Sequence, residues 1–154
     1  VVVAVAYVIG LLAVQPETVL GTSIVPILGG SRTLTMVLLV LVTAVVAAPA
    51  GLHLAAAIQT VLLMVTVDDR AGVSETVQVL AYATAPCAVA WLPSPAVTAG
   101  CALYGAGLLV VGLAVVHRTT FPRATLAAAL PATLVFGVAY GGLWAGETLL
   151  AMVG

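Results

Sequence analysis

The sequence predicts an all-α protein, a polytopic transmembrane helical bundle of about five helices. Charged residues make up 6% of the 154-residue chain and hydrophobic residues 64%. A soluble domain carries roughly 25% charged residues, so most of this exterior is expected to face lipid. The apolar runs are long and continuous rather than alternating, which favours helices over a transmembrane barrel. We therefore expect a single transmembrane domain over residues 1–154.

The first apolar run, residues 1–14, is shorter than the ~20 residues that a span needs. We expect it to be the end of a first helix that begins upstream. A signal peptide is less favoured, since the chain shows neither a basic start nor a small-residue cleavage site. Residues 15–18 break this helix. Residues 19–28 predict a short interfacial or re-entrant segment, and residues 29–32 predict a turn.

The second predicted helix, residues 34–67, contains no charge but would be about 50 Å long at 1.5 Å per residue. That exceeds the ~30 Å hydrocarbon core. Pro49 lies in the middle and should kink or break a helix. Either one long kinked helix or two short segments fit. We favour one crossing whose main body follows Pro49.

Three further helices are predicted. The third covers residues 75–91, with Ser74 as its N-cap and Glu75 at the positive end of its dipole. The fourth covers residues 96–116. The fifth covers residues 124–153, follows a cap at Thr120, and is overlong with Pro131 inside it. We therefore expect helices two and five to be long and kinked.

The arginines give the bundle a direction. With five helices, the turns around Arg70 and around Arg118 and Arg123 fall on one side, and the turn around Arg32 falls on the other. Three arginines against one put the first side in the cytoplasm. We expect a cytoplasmic N-terminus and an external C-terminus. The absence of lysine hints at a GC-rich genome, so the expected location is the cell (plasma) membrane of a prokaryote.

Two stretches resemble a known family. In residues 71–86 a Gly-polar turn leads into a helix that carries Tyr82 and, four residues later, Pro86. In residues 111–124 a Gly112-Leu pair is followed by His117, a short polar turn and a small residue. Both stretches resemble the Yip domain family, membrane proteins named for interaction with Ypt/Rab GTPases that have many prokaryotic relatives.

The resemblance covers roughly residues 68–135. It implies five helices and a cytoplasmic N-terminus, as the arginines also predict. Eukaryotic members act in vesicle traffic between endoplasmic reticulum and Golgi. The Asp-Leu-Tyr-Gly-Pro-like motif that precedes their first helix is absent here, so the resemblance does not imply GTPase binding.

Polar residues within the apolar segments are candidates for function. His53 and Gln59 lie six apart, so they do not share a helix face, and Glu147 lies near the end of the fifth helix. Polar groups at membrane depth can line a permeation path or proton relay. They also form hydrogen bonds between helices, and that interpretation is favoured for His53 and Gln59. Glu147 is expected at the outer interface.

Three carboxylates gather on the predicted cytoplasmic side, on Asp68, Asp69 and Glu75. Together they could bind a hard cation through oxygen ligands. A solvated loop that leads into a capped helix explains them equally well. His53 has no second metal ligand at helical spacing.

The two cysteines, Cys87 and Cys101, lie seven residues either side of Ser94, in the turn between the third and fourth helices. Antiparallel helices would place them at equal depth. A disulfide is then geometrically possible on a side that permits it. Free buried cysteines are the commoner outcome.

The fifth predicted helix carries two overlapping small-residue motifs of the G-x-x-x-G kind, which let another helix approach closely. Packing inside the bundle and association with a second copy are equally compatible with them. The fourth helix offers a matching surface at Gly105, Gly107 and Gly112. The motif glycines are Gly137, Gly141, Gly142 and Gly146.

No catalytic motif, phosphate-binding glycine loop or pair of closely spaced cysteines occurs in the sequence. The net charge is −1, and no basic tract suited to nucleic acid or anionic lipid is present. We expect no enzyme activity, metal or cofactor. The favoured function is a scaffold or partner-binding subunit of the Yip type, whose partners are membrane lipid and another membrane protein or itself. The alternative is a small channel or transporter.

Overall fold

A computed structural model describes residues 1–21, 30–68 and 70–154 of the chain, and these residues form helices and turns. The chain enters through α1 (Val2–Val14), which is apolar throughout, and a short α2 (Pro16–Leu20) follows. Residues 22–28 of the predicted interfacial segment (residues 19–28) and residue 29 of the predicted turn lie outside the described residues.

The second predicted helix is one continuous long helix, Arg32–Thr66. It comprises α3 (Arg32–Val42), a π-helical segment (Thr43–Ala47) and α4 (Ala48–Thr66). Pro49 lies in the first turn of α4, just after the π-helical segment. A π segment changes the hydrogen-bond register, so the chain passes a residue that lacks an N–H without ending the helix. One helix, rather than two, therefore occupies this region.

The third predicted helix is shorter than expected and begins earlier. Helix α5 (Val73–Ala83) gives way to a 3₁₀ turn (Ala85–Val89). Pro86 explains the difference, because its ring excludes an α-helical neighbour and it has no N–H to donate. The expected cap at Ser74 is also wrong. Gly72 occupies the N-cap position, and the Ser74 hydroxyl donates to the Glu75 carboxylate at 3.0 Å.

The fourth predicted helix is α6 (Pro95–Val116), and the fifth is broken. After α7 (Phe121–Ala132) and a π-helical segment (Thr133–Ala139), the chain turns at Gly141 into α8 (Gly142–Val153). Gly141 has φ +75°, a conformation that ends helices and suits glycine. The fifth predicted helix, residues 124–153, is therefore divided at Gly141, and its first part is long and contains Pro131 as expected.

Three helices of the described chain are long and apolar enough to cross a membrane, namely Arg32–Thr66, Pro95–Val116 and Phe121–Ala139. Helices α1 and α8 are apolar but shorter. The central helix is α6, which packs against α5, α7 and α8, while α4 packs against α5 and α7. The core between them is built from small and branched side chains such as Ala56, Leu63, Leu80, Leu109, Leu113 and Ala127. The all-helical membrane bundle is thus confirmed.

Candidate functional site at the polar end of the bundle

His117 joins two connections at one end of the bundle, which we call the polar end (residues 67–68, 70–76 and 117–123). It follows the last turn of α6 and is 1% exposed. The backbone N–H of Ala71 donates to its Nδ1 at 3.1 Å. Its Nε2 lies 3.3 Å from the Thr76 hydroxyl, which also donates to the carbonyl of Gly72. Because a backbone N–H can only donate, Nδ1 must be unprotonated. The neutral imidazole of His117 therefore holds the loop before α5.

The electrostatics of the polar end agree with a neutral ring. Burial lowers the pKa of His117 below its ordinary value, the Glu75 carboxylate opposes that shift, and the Arg70 guanidinium adds to it. Desolvation disfavours the charged form of a histidine. His117 therefore acts here as a hydrogen-bonding clamp between α6 and the loop before α5.

A cavity of about 250 Å³ opens beside His117. Arg118 and Arg123 line it, and Asp68 contributes a carboxylate. Arg118 has φ +48°, a left-handed backbone conformation that is uncommon for a residue with a side chain. The remaining lining residues are Val67, His117, Thr119 and Thr120.

The predicted carboxylate site is not assembled within the described residues. No three histidine, cysteine or acidic side chains come together there. Asp68 is exposed in the cavity wall, whereas Glu75 accepts the Ser74 hydroxyl. Asp69 lies outside the described residues. A hard-cation site at these positions stays a prediction.

Gln59 and His53 have opposite environments on α4. Gln59 is fully buried, and its Nε2 donates to the carbonyl of Ala127 in α7 at 2.7 Å. His53 is exposed, and its Nδ1 lies 2.7 Å from the carbonyl of Pro49 one turn back. Glu147 is exposed on α8. None of the three lines the cavity at the polar end.

A second cavity of about 380 Å³ lies at the opposite end of the bundle, beside the turn between the 3₁₀ segment and α6. Tyr7 and Tyr140 meet there edge to face, with ring centroids 5.1 Å apart, and Trp144 lines it as well. Gln15 joins α1 to the turn by donating to the carbonyl of Trp91 at 3.3 Å. The polar residues that predicted a transport path, His53, Gln59 and Glu147, do not line this cavity either.

The two cysteines are neighbours and both are free. The thiol of Cys87 lies 4.0 Å from the carbonyl oxygen of Cys101. Cys87 is fully buried and Cys101 partly so. A disulfide between them stays a prediction.

The glycine motifs of the fifth predicted helix do not form one face, because the chain turns at Gly141. The turn brings Leu143 back against Gly137, where a Cβ would lie 3.0 Å from the leucine Cγ. Gly142 packs against Ala102 of α6, with 2.6 Å between a built Cβ and that of the alanine, and Gly146 has nothing within 4 Å. Of the four motif glycines, Gly142 is therefore the one at a close approach to α6.

The residues that resemble a family have separate structural positions. Gly112 lets α6 approach α5, since a Cβ there would lie 2.6 Å from Cγ1 of Val79. Pro86 begins the 3₁₀ turn after α5. Tyr82 is 77% exposed, so it faces away from the bundle. Of these residues, only His117 lies at the polar end.

The cavity residues were not singled out from the sequence as a site. Arg118 and Arg123 serve in the sequence argument only as markers of orientation, and Asp68 serves only as part of the predicted carboxylate cluster. The one signal in the sequence is the His117-Arg118 pair at the end of α6, two residues that also suit the negative end of a helix dipole. The spacing of residues along the chain does not predict that α6, α7 and the loop before α5 meet at one place.

Comparison with known proteins gives one match. Residues 1–142 match the family model described as the Yip1 domain. No curated protein and no solved structure matches the chain.

Proposed function

Because the chain belongs to the Yip1 domain family and is a membrane protein of apolar helices, we propose that it is a non-enzymatic scaffold. On this proposal it binds a transmembrane helix of another integral membrane protein. The binding surface is the exposed face of the long helix, Arg32–Thr66. The observation that supports this most directly is the exposed His53 on that face.

The long helix packs less against the rest of the chain than the other long helices do. Only 6% of its most apolar stretch is buried, compared with 28% for both Pro95–Val116 and Phe121–Ala139. Lipid alone can cover apolar side chains, so this exposure allows a partner helix to bind but does not by itself indicate one. The exposed large side chains are Leu34, Val37, Leu41, Val42, Val45, Val46, Leu54, Val61, Met64 and Val65.

His53 is the feature of this face that favours a partner helix over lipid. It precedes Val67, at the polar end, by fourteen residues, which places it about 21 Å along the helix at 1.5 Å per residue, within a hydrocarbon core of ~30 Å. Its Nδ1–H donates to the carbonyl of Pro49, which leaves Nε2 as an acceptor. A polar side chain that faces lipid at this depth is costly, and a donor from a neighbouring helix removes the cost.

The test is co-purification of the tagged full chain from native membranes. We expect a second membrane protein to accompany the wild-type chain and to be lost with His53→Leu. Tyr104→Leu is the matched control, because it removes a polar tip from the exposed face of α6 (Tyr104 is 64% exposed). Retention of every partner by His53→Leu, or purification of the wild-type chain as a lone monomer, overturns the proposal.

A second, differently tagged copy of the chain distinguishes self-association from binding to another protein. Recovery of the second copy alone shows that the partner helix belongs to this chain, which contradicts the proposed heterologous partner. Recovery of another membrane protein without the second copy supports it.

The proposed location is the cell membrane of a prokaryote, with the polar end in the cytoplasm. Arg70, Arg118 and Arg123 belong to the polar end, whereas Arg32 pairs with Glu17 at 2.8 Å near the opposite end. An excess of arginine marks the cytoplasmic side. Reporters fused after Gly154 test this, because alkaline phosphatase should be active and green fluorescent protein dark if the C-terminus is external. The reverse pattern contradicts the orientation.

A further inference from the structure

We propose that the cavity at the polar end binds the phosphate of a phosphomonoester. This inference is independent of the proposed scaffold function. It rests on the side chains and backbone groups that converge on one cavity at the end of the bundle.

The charges in the cavity wall favour an anion. Arg118 and Arg123 both line the cavity, and among the described residues Asp68 is the one acidic residue in the wall, so the charged side chains described there sum to +1. In the part of the chain that the structure describes, neither arginine lies within ion-pair distance of Asp68 or another carboxylate, since the pair found there is Arg32 with Glu17. No carboxylate among residues 1–21, 30–68 and 70–154 therefore occupies the donors of either guanidinium group.

The start of α7 adds backbone donors. Thr120 occupies its N-cap position in extended conformation, but its hydroxyl makes no capping hydrogen bond. Thr120 is thus at the expected cap position, without a capping hydrogen bond from its side chain. The first N–H groups of a helix have no partner within the helix, and they favour an anion together with the helix dipole. In α7 these are the N–H groups of Phe121 and Arg123, because Pro122 between them has none. Helix α7 has twelve residues, so its dipole is fully developed at this end.

The other wall groups suit phosphate in particular. Thr119 and Thr120 line the cavity, and a threonine hydroxyl can donate to a phosphate oxygen. The planar guanidinium group binds phosphate through two parallel donors. His117 does not compete for the ligand, because both ring nitrogens are engaged by Ala71 and Thr76.

The backbone of Arg118 is held in an uncommon conformation beside this cavity. Its φ of +48° is the left-handed conformation of the residue that follows the C-cap in a Schellman motif, and this motif ends α6 at His117. The adjacent bonds maintain it, since the N–H of Arg118 donates to the carbonyl of Val115 and that of Thr119 to the carbonyl of Ala114. The turn therefore presents Arg118 toward the same cavity as Arg123.

The phosphate could belong to a lipid headgroup or to a soluble molecule, and two probes separate these sources. The purified full chain in detergent is titrated with short-chain phosphatidic acid and, separately, with inorganic phosphate. Short-chain phosphatidylcholine serves as the lipid control because it lacks a phosphomonoester. Binding is measured by native mass spectrometry for the lipids and by calorimetry for inorganic phosphate.

Two variants change the charge of the cavity in opposite directions. We expect Arg123→Gln to weaken binding of the phosphate probe about tenfold, the size of one lost charge-assisted hydrogen bond. We expect Asp68→Asn to strengthen it, because it removes a like charge. Arg32→Gln is the matched control, since it removes one arginine whose exposed ion pair contributes little to stability.

The outcomes decide the proposal and the source. Binding of phosphatidic acid over both phosphatidylcholine and inorganic phosphate supports a lipid ligand, and comparable binding of inorganic phosphate supports a soluble one. The proposal is overturned if the wild-type chain binds neither probe, if Arg123→Gln binds as tightly as Arg32→Gln, or if Asp68→Asn weakens binding. If Arg123→Gln fails to fold, the change in phosphate binding measured for Asp68→Asn still tests the proposal.

Discussion

Gln59 supplies the hydrogen bond that Pro131 withholds. The Nε2 of Gln59 donates at 2.7 Å to the carbonyl of Ala127, the group that residue 131 would satisfy in a regular α-helix. Pro131 lies inside α7 and has no N–H. The side chain from α4 thus replaces an internal bond of α7 and ties the two helices together. Its Oε1 is buried without a partner among the described residues.

The first prediction is a double-mutant cycle between these two residues. Gln59→Leu should lower the free energy of unfolding by about 1 kcal/mol, a usual size for a hydrogen bond between membrane helices. In a Pro131→Ala background the cost should shrink, because the introduced alanine restores the backbone N–H that the carbonyl of Ala127 accepts. Unfolding in mixed micelles measures all four proteins. An equal cost of Gln59→Leu in both backgrounds contradicts the assigned role.

The second prediction concerns the close approach at Gly105. A Cβ there would lie 2.5 Å from Cε1 of Phe136 and 2.9 Å from the backbone carbonyl of Ala83. Because that carbonyl cannot rotate away, Gly105→Ala should destabilise the bundle by about 1–3 kcal/mol. Gly107→Ala is the control on the same helix, since nothing lies within 4 Å of its Cβ. Thermal unfolding of the two variants should differ clearly, and equal midpoints would show that α6 does not contact its neighbours here.

The third prediction is a pH dependence set by His117. Its pKa is lowered from the ordinary value of 6.5 by burial, so the unfolded chain binds the proton more tightly than the folded chain. The free energy of unfolding should be highest above pH 6.5 and should fall as the pH drops from 6.5 through the lowered pKa. Protonation of Nδ1 would also break the bond from Ala71.

The measurement is the unfolding free energy of wild-type and variant chains across that pH range. His117→Asn should lower stability at neutral pH and lose this part of the acid dependence. His53→Asn, which replaces the exposed histidine, should retain it. An unchanged acid profile in His117→Asn would rule out His117 as its source.

The fourth prediction separates the two cysteines. Cys87 is fully buried and Cys101 partly exposed, so a maleimide should label Cys101 first in the folded protein. With Cys101→Ala, labelling of Cys87 should require unfolding. If the protein purified from native membranes labels at neither position until a reductant is added, then the two thiols form the predicted disulfide.

Individual residues show how much of the structure could be predicted from the sequence. The apolar run after Arg32 predicted a crossing near Pro49, and the structure has one helix there that is long and apolar enough to cross a membrane. Pro86 belongs to the family resemblance, and in the structure it also shortens the third helix, which the sequence did not predict. Gly141 was interpreted as part of a packing motif, whereas it turns the chain. In each case the residue type was informative, but its role depended on the elements packed around it.

The sequence by itself determined that this protein is an all-helical membrane bundle, because lipid requires each spanning segment to be apolar and to satisfy its own backbone hydrogen bonds. Both requirements apply to each segment by itself, so they can be recognised from the composition of the chain and the length of its apolar runs. Only the tertiary structure decided that Gln59 reaches Ala127, that His117 holds the loop at Ala71, and that Arg118 and Arg123 share a cavity. These relationships join residues far apart in the chain, and packing between helices, rather than spacing along one of them, brings them together.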